Sequence, residues 1–166
     1  MSDEIIVGIF TLLGTILGFA LTKISDYITS KRQIQNNQRR LLDRLLNIDT
    51  TIMLLKDNTE KMDKIITKKD LESLHKILNM CDIRDELSKI ETLLEKPISF
   101  DNDKYSLFVN FSILKVHLNG LLTFFESNPD NFENKKAELI CRFDECHSAV
   151  RVIYNPVKNE YHSCIL

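Results

Sequence analysis

Residues Ile5–Thr22 read IIVGIFTLLGTILGFALT, eighteen positions without a charge. At 1.5 Å per residue, a helix of this length spans about 27 Å, close to the roughly 30 Å hydrocarbon core of a bilayer. A secretory leader needs a basic start and a small-x-small cleavage site. Here Asp3 and Glu4 precede the run, and Lys23 with further helix-forming sequence follows it. A buried core helix usually carries a polar stripe, and this run holds nothing more polar than threonine. The segment therefore reads as a transmembrane helix over residues 5–22.

The flanks set its orientation. Residues 1–4 carry two acids and no base. Residues 23–46 carry Lys23, Lys31, Arg32, Arg39, Arg40 and Arg44 against Asp26 and Asp43, a net +4. Positive flanks stay on the cytoplasmic side, which places the short N-terminus outside and the rest of the chain inside. This basic collar either meets anionic headgroups or simply fixes topology.

Within the span, Gly8, Thr11, Thr15, Gly18 and Thr22 are spaced 3, 4, 3 and 4, so they share one helical face; Gly14 and Gly18 form a G-x-x-x-G. Small faces let helices approach closely in lipid, so homo-oligomerisation through this face is expected. One span encloses no pathway, so conduction would require several copies. The span holds no ionisable side chain, which excludes a proton relay inside it.

Beyond the membrane the chain reads as all-α. No glycine lies between Gly18 and Gly120, and the first proline is Pro97. A turn-rich β fold needs such breakers. With 43% hydrophobic and 28% charged residues among 166, the chain is neither disordered nor wholly membrane-buried. Its net charge of −2 excludes a strongly basic nucleic-acid binder. Apolar positions continue at Ile24, Tyr27/Ile28, Ile34, Leu41, Leu45, Ile48, Ile52 and Leu55. Steps near 3 and 4 make a heptad-like seam, which packs inside the subunit's own bundle or against a second copy. The first helix is expected to run to about Asp57. Thr67-x-x-Asp70 predicts a capping box, and Asp82 caps the next helix, which ends before Pro97. Asp101 or Asp103 opens an apolar helix, residues 127–130 make a turn, and the last helix runs from about Phe132 to Tyr154, where Asn155-Pro156 ends it. The organisation is then an outer N-terminus (1–4), the span (5–22), a basic juxtamembrane helix (23–57) and a cytosolic helical domain (58–166).

Chemistry-bearing motifs are few. Cys81, Cys141, Cys146 and Cys164 lack C-x-x-C spacing, and adding His147 and His162 reproduces no standard zinc module, so neither metal nor cofactor is expected. The terminal Cys-Ile-Leu is one residue short of a prenylation box. One pattern stands out: Arg142 and His147, an R-x4-H in the last long helix. Imidazole moves protons near neutral pH, and guanidinium suits the charge that develops on a phosphate, so the pair fits metal-independent RNA cleavage.

A span, a basic collar, a helical domain and a late R-x4-H resemble the small HEPN-motif membrane accessory proteins of type VI-B CRISPR systems. The resemblance covers the whole chain, and its only sequence motif is Arg142…His147. It implies an HEPN-like bundle in the bacterial inner membrane and an oligomeric ring, such as an octamer, around a pore. It also implies a functional partnership with the RNA-guided RNA nuclease of such a system, in which the pore enhances anti-phage defence by depolarising the membrane. HEPN nucleases carry a polar residue after the arginine, where this chain has Phe143. Residues 47–166 carry 16 basic and 20 acidic residues, a poor footprint for RNA. Direct RNA binding is thus not expected, and Arg142 and His147 would serve assembly or gating rather than catalysis. Two alternatives stay open: a membrane-tethered HEPN ribonuclease or toxin, and an inactive membrane scaffold.

Overall fold

The long first helix, α1 (Asp3–Lys61), organises everything else. The computed structural model describes residues 3–63, 66–98, 104–126 and 135–163; of helical residues 3–7, 9 and 104 it describes the backbone alone. Four further helices follow among the described residues: α2 (Lys68–Met80), α3 (Ile83–Leu94), α4 (Lys104–Glu126) and α5 (Lys135–Ser163). There is no strand among them, so the chain is all-α.

The C-terminal half of α1 forms the spine of the bundle. Leu41, Leu45, Ile48, Ile52 and Leu55 are fully buried. Their spacing of 4, 3, 4 and 3 keeps them on one face. The seam therefore packs within the subunit, mainly against α5, with α2 and α3 also on α1. Buried stripes from the other helices close the core: Leu71, Leu74 and Leu78 of α2, Ile83, Leu87 and Ile90 of α3, and Phe143, Val150 and Ile153 of α5. Each such side chain is worth roughly 1.5–3 kcal/mol of burial.

Local chemistry sets the helix ends. Thr67 accepts from the Asp70 backbone N–H, while the Asp70 carboxylate accepts from the Thr67 N–H at 2.9 Å, a complete capping box. Asp82 accepts from the Asp85 N–H at 3.0 Å and starts α3. The first helix passes its expected end at Asp57 by one turn. Lys61 pairs with Asp57 at 2.5 Å, and the buried Thr59 hydroxyl donates to the Leu55 carbonyl.

The expected stop at Asn155-Pro156 is wrong. Pro156 lies inside α5, which continues to Ser163. A proline inside a helix removes the bond to the carbonyl four residues back, here that of Val152. Val152 is exposed, so the lost bond falls on the solvent side of α5. Buried Val157 and partly buried Tyr161 carry the packing past the proline, and tertiary contact overrides the local break. The expected start of α4 at Asp101 or Asp103 and the turn at 127–130 lie outside the described residues.

One described helix, Tyr105–Glu126 within α4, is long and apolar enough to cross a membrane. Leu107, Phe111, Leu114, Leu118, Leu121 and Phe124 bury one of its faces in the bundle. Midway along it, Lys115 pairs with Glu91 at 3.1 Å and His117 meets Glu145 at 3.4 Å. A helix with partners of that kind belongs to the bundle. The expected span at residues 5–22 has a helical backbone, but the side chains of Ile5, Ile6, Val7 and Ile9 lie outside the described residues. From Phe10 to Ile28 every residue of α1 is exposed, with Phe10 at 69% and Leu17 at 62%.

Candidate functional site

Helix α5 presents Arg142 and His147 to different neighbours. Residues five apart on a helix point about 140° from each other, and the structure uses that divergence. Arg142 turns towards α4. Its guanidinium bonds Glu138 one turn earlier, at 2.9 and 3.2 Å, and lies over the Phe124 ring at 5.6 Å. A Cβ at Gly120 would sit 3.7 Å from the same guanidinium, an ordinary contact, so Arg142 packs across the α4 backbone at this position.

His147 turns towards α1. Its Nδ1 lies 2.6 Å from Oδ1 of Asp49, 98 positions away in the chain. Arg151, one turn after His147, holds the other carboxylate oxygen at 2.7 Å. The Asp49 side chain is only 5% exposed. A lone buried carboxylate is costly, and here two cation-capable side chains bracket it. With the carboxylate accepting, His147 donates from Nδ1, and Nε2 makes no hydrogen bond among the described residues on a side chain that is 29% exposed. An imidazole so oriented has the first half of acid–base machinery.

The second half is missing around it. Arg142 does not face His147, and Phe143 between them is fully buried. The described surface grooves of about 480, 350, 300 and 490 Å³ are lined by residues other than Arg142 and His147. The arrangement locks α5 onto α1 and α4 more than it shapes a cleft. The motif is therefore split, and its true partners are Asp49, Arg151, Glu138 and Phe124. Spacing within α5 does not point to Asp49, although the sequence holds a signal: an acid at position 49 sits beside the seam residues Ile48 and Ile52.

The cysteines do not converge. Burial pushes the Cys146 thiol up to about 12, with the nearby Glu145 charge adding to it. Cys81 is also raised, chiefly by burial. Cys141 is exposed, and Cys164 lies outside the described residues. Among the described residues no three His, Cys, Asp or Glu side chains gather as metal ligands would.

On the apolar end of α1, a Cβ added at Gly8, Gly14 or Gly18 meets nothing within 4 Å. Thr15 and Thr22 donate their hydroxyls to the carbonyls of Thr11 and Gly18, each at 2.9 Å. A polar side chain satisfied on its own helix is what a lipid environment demands. The collar is not uniform. Lys23 lies over the Phe19 ring at 5.5 Å, and Arg44 is neutralised by the buried Glu86 at 2.6 Å. Lys31, Arg32, Arg39 and Arg40 have no acidic partner within the described chain.

The chain matches no family model, no curated protein and no solved structure.

Proposed function

We propose that this protein is a single-span membrane protein that self-associates into an inner-membrane pore. In this reading it strengthens RNA-guided anti-phage defence in partnership with an HEPN-bearing RNA nuclease, with its bundle in the cytoplasm. One observation carries the membrane part: the charge-free stretch Phe10–Thr22 projects from the bundle with every side chain exposed. Such a surface needs lipid or further copies of itself. The open glycine face supplies a contact for those copies. The split Arg142/His147 motif supports assembly or gating over hydrolysis, because each side chain is committed to a packing partner.

The test is reconstitution into liposomes with an entrapped ion-sensitive dye, beside light scattering in mild detergent. The parent should form a multi-subunit particle and pass ions. Gly18→Leu should fill the small face and reduce both. A monomeric, non-conducting parent overturns the pore. The second reading, a tethered ribonuclease, is favoured by the Asp49–His147 bond alone. It requires metal-independent RNA cleavage that His147→Ala abolishes with the oligomer unchanged.

A further inference from the structure

Between Asp26 and Asp43 the chain holds no acidic residue. A groove of about 490 Å³ opens along this stretch. Arg32 and Arg40 line it, with the carboxamides of Gln33, Asn36 and Asn37, and Lys96 closes it from the turn after α3. The groove is a tertiary feature rather than one helix's stripe. Asn37 is buried and donates from Nδ2 to the Pro97 carbonyl at 3.1 Å, which fixes the Lys96 turn against α1.

The cations in it differ from those of the bundle that hold carboxylates, and share the lack of one with Lys31, Arg39, Lys68, Lys69 and Lys76. Arg44, Lys56, Arg84, Lys115, Arg142 and Arg151 are all spent on carboxylates. Arg32, Arg40 and Lys96 have no such partner among the described residues. Three exposed cations without a carboxylate line one open groove, where an anion can join them. Arg32 and Arg40 sit two turns apart, about 12 Å along the axis, too far for a single phosphate to bridge without both side chains folding inward. Arginine forks recognise phosphate oxygens in pairs, and carboxamides both donate to and accept from hydroxyls or a base edge.

We propose that this groove binds a ligand carrying two or more phosphate groups. Arg32 and Arg40 hold the phosphates, Lys96 closes on them, and Gln33 and Asn36 meet the polar remainder. The ligand is a soluble polyphosphate such as a nucleotide, or a phosphorylated lipid headgroup. Position weighs on the choice. If hydrocarbon ends at Thr22, Arg32 lies about 15 Å and Arg40 about 27 Å beyond it. A headgroup layer is only about 5–8 Å deep. The site stands on the groove itself and is independent of pore formation.

The experiment uses full-length protein in nanodiscs. One arm adds tripolyphosphate or ATP to phosphatidylcholine discs and reads binding by calorimetry. The other compares cardiolipin-containing with phosphatidylcholine discs by thermal shift, with no soluble ligand, because each cardiolipin headgroup carries two phosphates. We expect saturable tripolyphosphate binding that weakens about ten-fold or more with Arg40→Gln or Lys96→Gln, as loss of a charge-assisted contact predicts. Arg39→Gln, outside the groove, should change little. Both groove residues are exposed, and circular dichroism checks that the variants stay folded. Stabilisation by cardiolipin alone, lost in the same two variants, assigns the headgroup source. No binding in either arm, or equal weakening by Arg39→Gln, overturns the site.

Discussion

The two halves of α1 share one unbroken helix and similar stocks of leucine and isoleucine, yet they live in opposite surroundings. Leu41, Leu45, Ile48, Ile52 and Leu55 are fully buried, while Phe10, Leu17 and Ile24 stand mostly exposed. The difference lies in arrangement. The inner half concentrates its apolar residues on one stripe and leaves Asp43, Asn47 and Thr50 on the exposed side. The outer half is apolar all round, with only glycine and threonine as relief. A stripe fits a bundle; a fully apolar cylinder cannot be covered by helices packed on one side of it. Amount of hydrophobicity alone would have treated the halves alike, and periodicity separates them.

The sharpest way to break this contrast is to charge the outer half. Leu13→Arg with Ile16→Arg places two cations near the middle of the expected span, each costing about 2.5–3.5 kcal/mol on insertion scales. Carbonate extraction should then release the protein, while the bundle's thermal melt stays unchanged. The reciprocal change is Ile52→Ala in the inner half, a fully buried side chain whose truncation costs about 2–5 kcal/mol. The melt should fall and membrane retention persist. Mass-mapped alkylation gives a second readout. In the parent at neutral pH exposed Cys141 should react and buried Cys146 should not; loosening the core exposes Cys146.

Asp49→Asn probes the polar pin of the inner half. It takes the charge from a carboxylate held by His147 and Arg151, whose side chains are themselves partly exposed. Water recovers some of their loss, so the cost should be about 2 kcal/mol, below that of stripping a fully buried pair. The smallest effect belongs to the cap that follows α1. Thr67→Ala should cost about 1 kcal/mol by chemical denaturation. The Thr67 hydroxyl and backbone N–H hold the Asp70 carboxyl below its ordinary value. A depressed carboxylate stabilises the fold above its unfolded value and loses that contribution as pH falls through its folded value. Asp70→Asn should therefore flatten the acid side of the stability curve and leave it unchanged in shape near neutrality.

Much of this architecture was legible because its causes are local. Thr67, Asp70 and Asp82 announce helix starts through bonds to backbone groups three residues away. The 41–55 seam announces a bundle through its period. The all-α class follows from the long interval without glycine or proline. What stayed hidden depends on distant partners. Pro156 looks like a stop because its own chemistry is local, but the burial of Val157 that overrides it comes from another helix. Arg142 and His147 look like a pair because they share a spacing, yet Phe124 and Asp49 pull them apart. Lys96 completes a basic groove only because Asn37 holds the Pro97 carbonyl. No spacing rule reaches across 60 or 98 positions.

The continuity of α1 has a mechanical consequence. Its 59 residues make a rod of about 89 Å. From Lys23 to Lys61 it holds no proline or glycine at which to bend. Such a rod has no joint between the apolar tip and the Asp49 pin. A twist or tilt imposed on the tip is handed to α5 with little lost on the way, and a shift of α5 returns along the same shaft. The helix works as a crank, in which any rotation of the tip also turns the bundle.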